Sequence, residues 1–311
     1  MAIAFGVDVG GTTIKIGCVD GESLRDKWEI PTVTDNDGAA VLPDIAAAVK
    51  GYLEAHGIAP STVRGIGIGV PGAVLEGGIV NRCINLGWGV VPVADELSAL
   101  TGFPVRAAND ANAAALGELW QGGGRGLKNI VMITLGTGIG GGVVIDGRIL
   151  PGAFGAAGEV GHFLVNPHET ETCGCGKKGC LEQYGSATGV VRLAGRYLAS
   201  HEEDTVLRST DPLTAKAVFD AAKAGDKAAL AIVDQVGRYL GMGLSYISCV
   251  VDPEAFVIGG GVSRAGTILL DTVAAYYRKS AFHASRETRF LMAELGNDAG
   301  MYGAVRMVLA E

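Results

Sequence analysis

Apolar and polar positions alternate along this chain with two periods. Short apolar runs that end in glycine read as strands. AFGVDVGGTTIKIGCV (residues 4–19) gives a strand, a glycine turn and a second strand, and IVMITLGTGIGGGVVI (residues 130–145) repeats that layout. Superposing the two puts Asp8 on Thr134 and Gly10 on Gly136, which suggests two related halves. Two ordinary hairpins would look the same, because apolar strands with glycine turns are common. Further strands are predicted at 64–70, 105–107, 255–261 and 289–295. Apolar residues at helical spacing predict helices at 39–56, 93–100, 111–121, 187–200, 214–224, 227–250, 267–280 and 300–309. Strands alternating with helices make an α/β protein with largely covered sheets. There is no long Pro/Ser linker, so the expected domain boundary is a close hinge near Asn109 and again near Ala299. It divides the chain into a small α/β domain of residues 1–108 plus 299–311 and a large one of 109–298.

Composition narrows the class. With 311 residues, 48% hydrophobic and 19% charged, the chain can bury a substantial core and is not disordered. Its 49 glycines are not periodic, which excludes collagen; they gather at the ends of apolar runs and mark tight turns. A net charge of −8 leaves no global basic surface and argues against nucleic acid as a partner. MAIAFGVDVGG has no basic segment followed by a long apolar stretch, so no signal peptide is read. The longest uncharged apolar run, 129–145, is broken by glycines and is short of the ~20 residues of a membrane helix. The expectation is a soluble cytoplasmic protein, with no membrane partner, in which structural disulfides are uncommon.

The glycine turns are candidate phosphate cradles. At the first, Gly10, Gly11, Thr12 and Thr13 offer backbone N–H groups and hydroxyls, and Asp8 can hold a hydrated magnesium ion. Lys15 is either in reach of the same phosphates or an exposed strand residue. The stretch lacks the Lys-Ser/Thr ending of a P-loop, and no helix follows it directly. Thr134, Gly136, Thr137 and Gly138 offer a second cradle. Gly259, Gly260 and Gly261 offer a third glycine surface, suited to a flat adenine or a ribose. Each alone reads equally as a plain turn; three in one chain, the first with an acidic partner, favour nucleotide binding.

Asn109-Asp110-Ala111-Asn112 lies between a predicted strand and a predicted helix. The bland reading is a helix N-cap. The functional one is a carboxylate at a strand end, where α/β proteins place their clefts. A kinase acting on hydroxyls needs positioning, neutralised phosphate charge and a base near the attacking oxygen. Asp110 fits the base, and Asn109 can fix the same substrate.

Three of the six cysteines fall within CGCGKKGC, at Cys173, Cys175 and Cys180. There is no C-x-x-C redox pair, and the spacing favours a metal. Three thiolates and one imidazole complete a closed, structural zinc site. His162 and His168 compete for the fourth position, and spacing does not choose between them. Cys18, Cys83 and Cys249 are scattered in apolar runs and read as buried thiols. The cluster ties Glu159 of EVGH to Glu182 downstream. Two carboxylates with an imidazole edge suit several sugar hydroxyls. The alternative is that both glutamates are simply solvated.

Taken together, DVGGTTIK, LGTGIGGG and GAAGEVGH followed by CGCGKKGCLE resemble the ROK family (repressors, open reading frames and sugar kinases) over essentially the whole chain, and within it the bacterial glucokinases. The last stretch is the specific one; DVGGT alone is shared with many actin-like kinases. The resemblance implies an actin/hexokinase-like (ribonuclease H-like) ATPase fold, two α/β domains flanking a cleft, in a homodimer or higher homo-oligomer. It implies ATP-dependent phosphorylation of glucose at the 6-hydroxyl with Mg2+, and Asp110 as the base. Asn109, Asp110, Glu159, His162 and Glu182 would bind the sugar, with Gly72 of GVPGAV and Asn85 of NLGW as further candidates. His162, Cys173, Cys175 and Cys180 would hold structural Zn2+, which settles the choice against His168. Family repressors carry an N-terminal DNA-binding segment; the phosphate motif here begins at residue 8, which leads us to expect none. Family fructokinases place a histidine among the cysteines; its absence here favours an aldohexose kinase. The competing expectations are a kinase for N-acetylmannosamine or N-acetylglucosamine and, from another class, a sugar-sensing regulator that transfers no phosphate.

Overall fold

The computed structural model describes residues 2–310; Met1 and Glu311, at the ends of the expected small domain, lie outside the described residues. Its strands, in chain order, are β1 (Ile3–Val9), β2 (Thr13–Asp20), β3 (Ser23–Pro31), β4 (Val63–Val70), β5 (Val74–Leu75), β6 (Ile79–Cys83), β7 (Trp88–Pro92), β8 (Val105–Asn109), β9 (Ile130–Leu135), β10 (Ile139–Ile145), β11 (Arg148–Ile149), β12 (Ala255–Gly259) and β13 (Arg289–Met292). The helices are α1 (Asp35–Gly38), α2 (Val41–Ala55), α3 (Val93–Thr101), α4 (Asp110–Gln121), α5 (Glu182–Gly185), α6 (Ala187–Ser200), α7 (Ala215–Lys223), α8 (Lys227–Val251), α9 (Thr267–Ser280) and α10 (Ala299–Leu309). The two five-stranded sheets run β3-β2-β1-β4-β8 and β11-β10-β9-β12-β13, and β5-β6-β7 form a smaller one. Each large sheet thus begins its order with three consecutive strands and adds two later ones beyond the first of them. That shared order accounts for the duplicated hairpin pattern.

The chain divides into two compact units, the first comprising Met1–Ile130, Gly142–Gly158 and Glu294–Glu311, the second Val131–Gly141 and Glu159–Ala293. In the first unit β1 is antiparallel to β2 and parallel to β4, and β4 is parallel to β8. The core under this sheet is apolar, with Phe5, Ile14, Ile16, Ile45, Ile66 and Ile68 fully buried. Phe5 meets Trp28 and Tyr52 edge-on, closing β3 and α2 over it. On the other face, α4 and α10 pack so closely that a Cβ at Gly303 would lie 1.6 Å from the Ala113 carbonyl oxygen. Only glycine permits that approach. This packing keeps α4 with the first unit, which the chain leaves after Ile130, rejoins for Gly142–Gly158 and re-enters at Glu294.

In the second unit the 25-residue α8 carries the core, burying Ile232, Val236, Leu240 and Leu244. Asp226 caps it by accepting from the Ala229 amide, and Thr214 caps α7 in the same way through Ala217. No helix among the described residues is long and apolar enough to cross a membrane.

Candidate active site

In the first unit, the pairing register sets Asp8 level with Gly69 on β4, and Gly69 level with Ala108 on β8. Asp8 and Asp110 therefore stand near the carboxyl ends of parallel strands. Asn109 is the N-cap of α4: its Oδ1 accepts from the Ala111 and Asn112 amides at 3.0 and 3.2 Å. Its Nδ2 donates to the Gly72 carbonyl at 3.1 Å. The capping role thus belongs to Asn109, and Asp110 is the first helical residue, half-buried, with Oδ1 accepting from the Ala111 amide at 2.8 Å. Gly72 has φ +96 and its Cβ would lie 2.9 Å from the Arg82 carbonyl oxygen, so it fixes the turn that Asn109 grips. Asn85 is exposed, in the short turn before β7.

The Gly10–Thr13 turn is closed by the Gly10 amide donating to the Thr13 carbonyl, and Gly11, Thr12 and Thr13 are exposed. Burial pushes the Asp8 carboxyl up to about 6; Lys15, its cross-strand neighbour, opposes this, while Asp110 and Asp298 add to it. Such a carboxylate gains from a nearby cation. Lys15 itself donates to the Asn297 carbonyl at 3.0 Å, so its ammonium holds the turn before α10. Gly300, on the first turn of α10, lies against Asp8: a Cβ there would be 2.8 Å from the carboxyl carbon. Sequence reasoning misses Gly300, because its helix carries no phosphate motif.

In the second unit, Thr134 is the penultimate residue of β9, and the Gly136 amide donates to the Gly138 carbonyl to close the next turn. The Ala187 amide and the Thr188 hydroxyl hold this turn through the carbonyls of Gly136 and Thr137. Gly260, with φ +84, approaches β9 so closely that its Cβ would be 2.6 Å from the Leu135 amide nitrogen. Gly261 faces open space and lines a mainly apolar cavity of about 380 Å³ with Thr214, Lys216, Phe219, Lys223 and Arg264. Sequence reasoning also misses this wall of the cavity. Lys216, Phe219 and Lys223 follow one another at helical spacing, which is the signal that could have found it.

His162, Cys173, Cys175 and Cys180 bring their ligand atoms within 4.8 Å of one another. The Cys175 and Cys180 sulfurs are 3.6 Å apart, and Cys173 Sγ is 3.9 Å from His162 Nδ1. A tetrahedron with Zn–S arms of about 2.3 Å has edges of about 3.8 Å, so the donor set fits zinc in size and chemistry. His168 is exposed and outside the set. Nδ1 of His162 faces the sulfurs, while Nε2 lies 3.9 Å from Glu159 Oε2. Glu182 Oε1 accepts the Cys173 thiol at 2.9 Å and lies 3.7 Å from His162 Nδ1. Glu182 is thus anchored to the cluster, whereas the Glu159 side chain is 63% exposed and touches it only through His162. Burial pushes the Cys173 thiol up to about 12, and the adjoining Glu182 adds to this; coordination would reverse that sign.

The segment from Cys180 to Glu182 is tied down by hydrogen bonds. Gln183 Oε1 accepts from the Gly179 and Cys180 amides, and Arg192 donates to the Gln183 carbonyl. Arg192 and Arg196 both bind Glu169, whose side chain is fully buried. The Arg196 guanidinium holds that carboxyl far below the usual range, against the opposing cost of burial.

Residues 4–311 match the sequence pattern of the ROK family. A glucokinase of Halalkalibacterium halodurans is 45% identical, over 96% of this chain and 92% of that one. An N-acetylmannosamine kinase of Escherichia fergusonii is 33% identical, over 98% of both. The crystal structure of a ROK family glucokinase from Streptomyces griseus, in complex with glucose and AMPPNP, superposes with a TM-score of 0.75 at 35% identity, covering 99% of this chain and 100% of that one. The fold is the hexokinase/actin-like one expected from the sequence.

Proposed function

The chain belongs to the ROK family, and from that premise we propose that it is an ATP-dependent glucokinase, converting ATP and glucose to ADP and glucose 6-phosphate. The observation that carries this reading is the 45% identity to a glucokinase over nearly the whole chain, with Asp110 set just beyond its Asn109 cap at the end of β8. The identity to the N-acetylmannosamine kinase is lower, at 33%.

Asp110 is the general base. Its carboxylate takes the proton of the 6-hydroxyl as that oxygen bonds to the γ-phosphorus in line, and the bond from phosphorus to the bridging oxygen breaks to release ADP. Asn109, Glu159, His162 and Glu182 bind the other hydroxyls, aided by Gly72 and Asn85. Charge-assisted bonds from hydroxyl donors to the two carboxylates supply the discrimination. Asp8, Gly10, Gly11, Thr12, Thr13 and Lys15 serve the phosphates on one side, and Thr134, Gly136, Thr137 and Gly138 on the other. Gly259, Gly260 and Gly261, with the apolar cavity beside them, take the adenosine. Asp8 would hold Mg2+, which would supply neutralisation of the phosphate charge. Zn2+ at His162, Cys173, Cys175 and Cys180 is structural. With zinc bound, the Cys173 thiolate would no longer donate to Glu182, whose carboxylate would be left for the sugar, and the Nε2–H of His162 would orient Glu159. The same reading makes the protein a cytoplasmic homodimer of glycolytic carbohydrate metabolism. ADP release with a panel of hexoses, ATP and magnesium tests it; a protein that binds glucose but releases no ADP is a sugar-sensing regulator instead.

A further inference from the structure

Glu118 is a carboxylate outside the substrate, nucleotide and metal groups and is fully buried, with 0% exposure. It stands two turns along α4 from Asp110. Its oxygens are satisfied by backbone N–H groups: Oε2 accepts from Gly123 at 2.9 Å and Glu294 at 3.0 Å, and Oε1 from Leu295 at 2.9 Å. Glu294 and Leu295 open the last segment of the first unit. A Cβ at Gly122 would lie 2.0 Å from Oε2, so the chain also leaves room for the carboxylate. A buried charge held by amides is a costly way to end a helix, and a turn of this kind can be made without one.

Beyond Leu295, the turn Gly296–Asp298 leads into α10, and Gly300 on the first turn of that helix abuts Asp8. Lys15 and Lys27 hold the same turn from β2 and β3, through the Asn297 carbonyl and the Asp298 carboxylate. We infer that Glu118 is a positioning residue: by fixing the return segment to α4, it sets the start of α10, and with it the Asp8 carboxylate, relative to Asp110. Neither substrate touches Glu118 in this scheme, which rests on the kinase reading. The two roles assigned to Asp8 and Asp110, magnesium and base, require a fixed separation, because in-line transfer loses rate steeply when groups are misplaced by about 1 Å.

The test is Glu118→Gln, which keeps the shape but turns one acceptor into a donor facing the Leu295 amide or the pair at Oε2. Four readouts are compared with the parent: kcat, the magnesium concentration for half-maximal rate, glucose affinity by calorimetry, and hydrogen exchange at Gly123, Glu294 and Leu295. The expected result is a fall in kcat of tenfold or more and a several-fold higher magnesium requirement. Glucose affinity stays within about threefold, and exchange is faster at those amides. A variant that is less heat-stable but keeps kcat and magnesium requirement within twofold overturns the inference and leaves Glu118 a purely structural group. If Glu118→Gln does not fold, Gly122→Ala, which pushes the carboxylate off its donors, is judged by the same readouts. A parent enzyme with no hexose kinase activity refutes the kinase reading itself; an active parent with an unaffected variant refutes only the role of Glu118.

Discussion

Asp8 and Gly300 are in contact across the first unit, the backbone of α10 lying where any side chain at position 300 would strike the carboxylate. Three atoms of the Asp8 carboxyl group fall within 3.0 Å of the Cβ that alanine would add. Gly300→Ala therefore moves Asp8 or α10. Alanine favours the helix by about 1 kcal/mol, and overpacking costs about 1–3 kcal/mol. We expect the melting temperature to change by only a few degrees while magnesium-dependent turnover falls at least tenfold. Calorimetric melting and a magnesium titration of the rate check this together, and unchanged turnover would show that Asp8 tolerates the displacement.

The raised Asp8 pKa gives a second prediction. A carboxyl whose folded value, about 6, lies above its ordinary 3.8 binds its proton more tightly in the folded chain. Its contribution is full below pH 3.8 and is lost as pH rises through about 6, amounting to about 3 kcal/mol at most. Without magnesium, the stability difference between parent and Asp8→Asn should shift against the parent between pH 4 and pH 6.5. Magnesium with a nucleotide should restore the parent at neutral pH and not the variant. Parallel stability curves for the two proteins across that range would contradict the assignment.

On the proposed reading, the Cys173–Glu182 contact couples zinc at the His/Cys cluster to sugar binding. Chelation, or Cys175→Ala, should lower the melting temperature and raise the glucose dissociation constant about tenfold or more, with zinc falling from about one per chain. Metal analysis with calorimetry on the same samples tests this. Glucose affinity that survives zinc loss unchanged would mean that Glu182 keeps its place without the cluster.

Asp110→Asn preserves the contact with the Ala111 amide through its remaining oxygen, so the start of α4 should stay in place. Turnover should fall by about 10²–10⁴, with glucose affinity changed only a few-fold. Single-turnover kinetics beside calorimetry separates the two, and near-parent turnover would remove Asp110 from the base role.

The elements most legible in the sequence are those with a strong period and one buried face. α6, α8 and α9 begin where the apolar spacing starts, and both glycine-tipped hairpins stand as read. β3 is not legible: SLRDKWEIP buries no residue fully, and its charges hide a strand that needs only Leu24, Trp28 and Ile30 turned inward. The three-strand sheet of β5, β6 and β7 escapes notice because its strands are two to five residues long, too short to show a period. The cysteines of the His/Cys cluster are legible because their spacing is itself a geometric statement, whereas His162 rather than His168 follows only from the family resemblance. Glu118 and Gly300 are not, since their partners are a backbone turn and a carboxylate more than 170 residues away.

The glucokinase reading turns on which hydroxyl compound accepts the phosphoryl group. The most direct measurement is the initial rate of ADP release with ATP and magnesium for glucose, mannose, fructose, N-acetylglucosamine and N-acetylmannosamine. Identification of the phosphorylated product by NMR accompanies it. Glucose should have the highest kcat/KM, by about tenfold or more over the N-acetylated sugars, and the product should be glucose 6-phosphate. A higher kcat/KM for N-acetylmannosamine or N-acetylglucosamine, or no ADP release with any hexose, would contradict that reading.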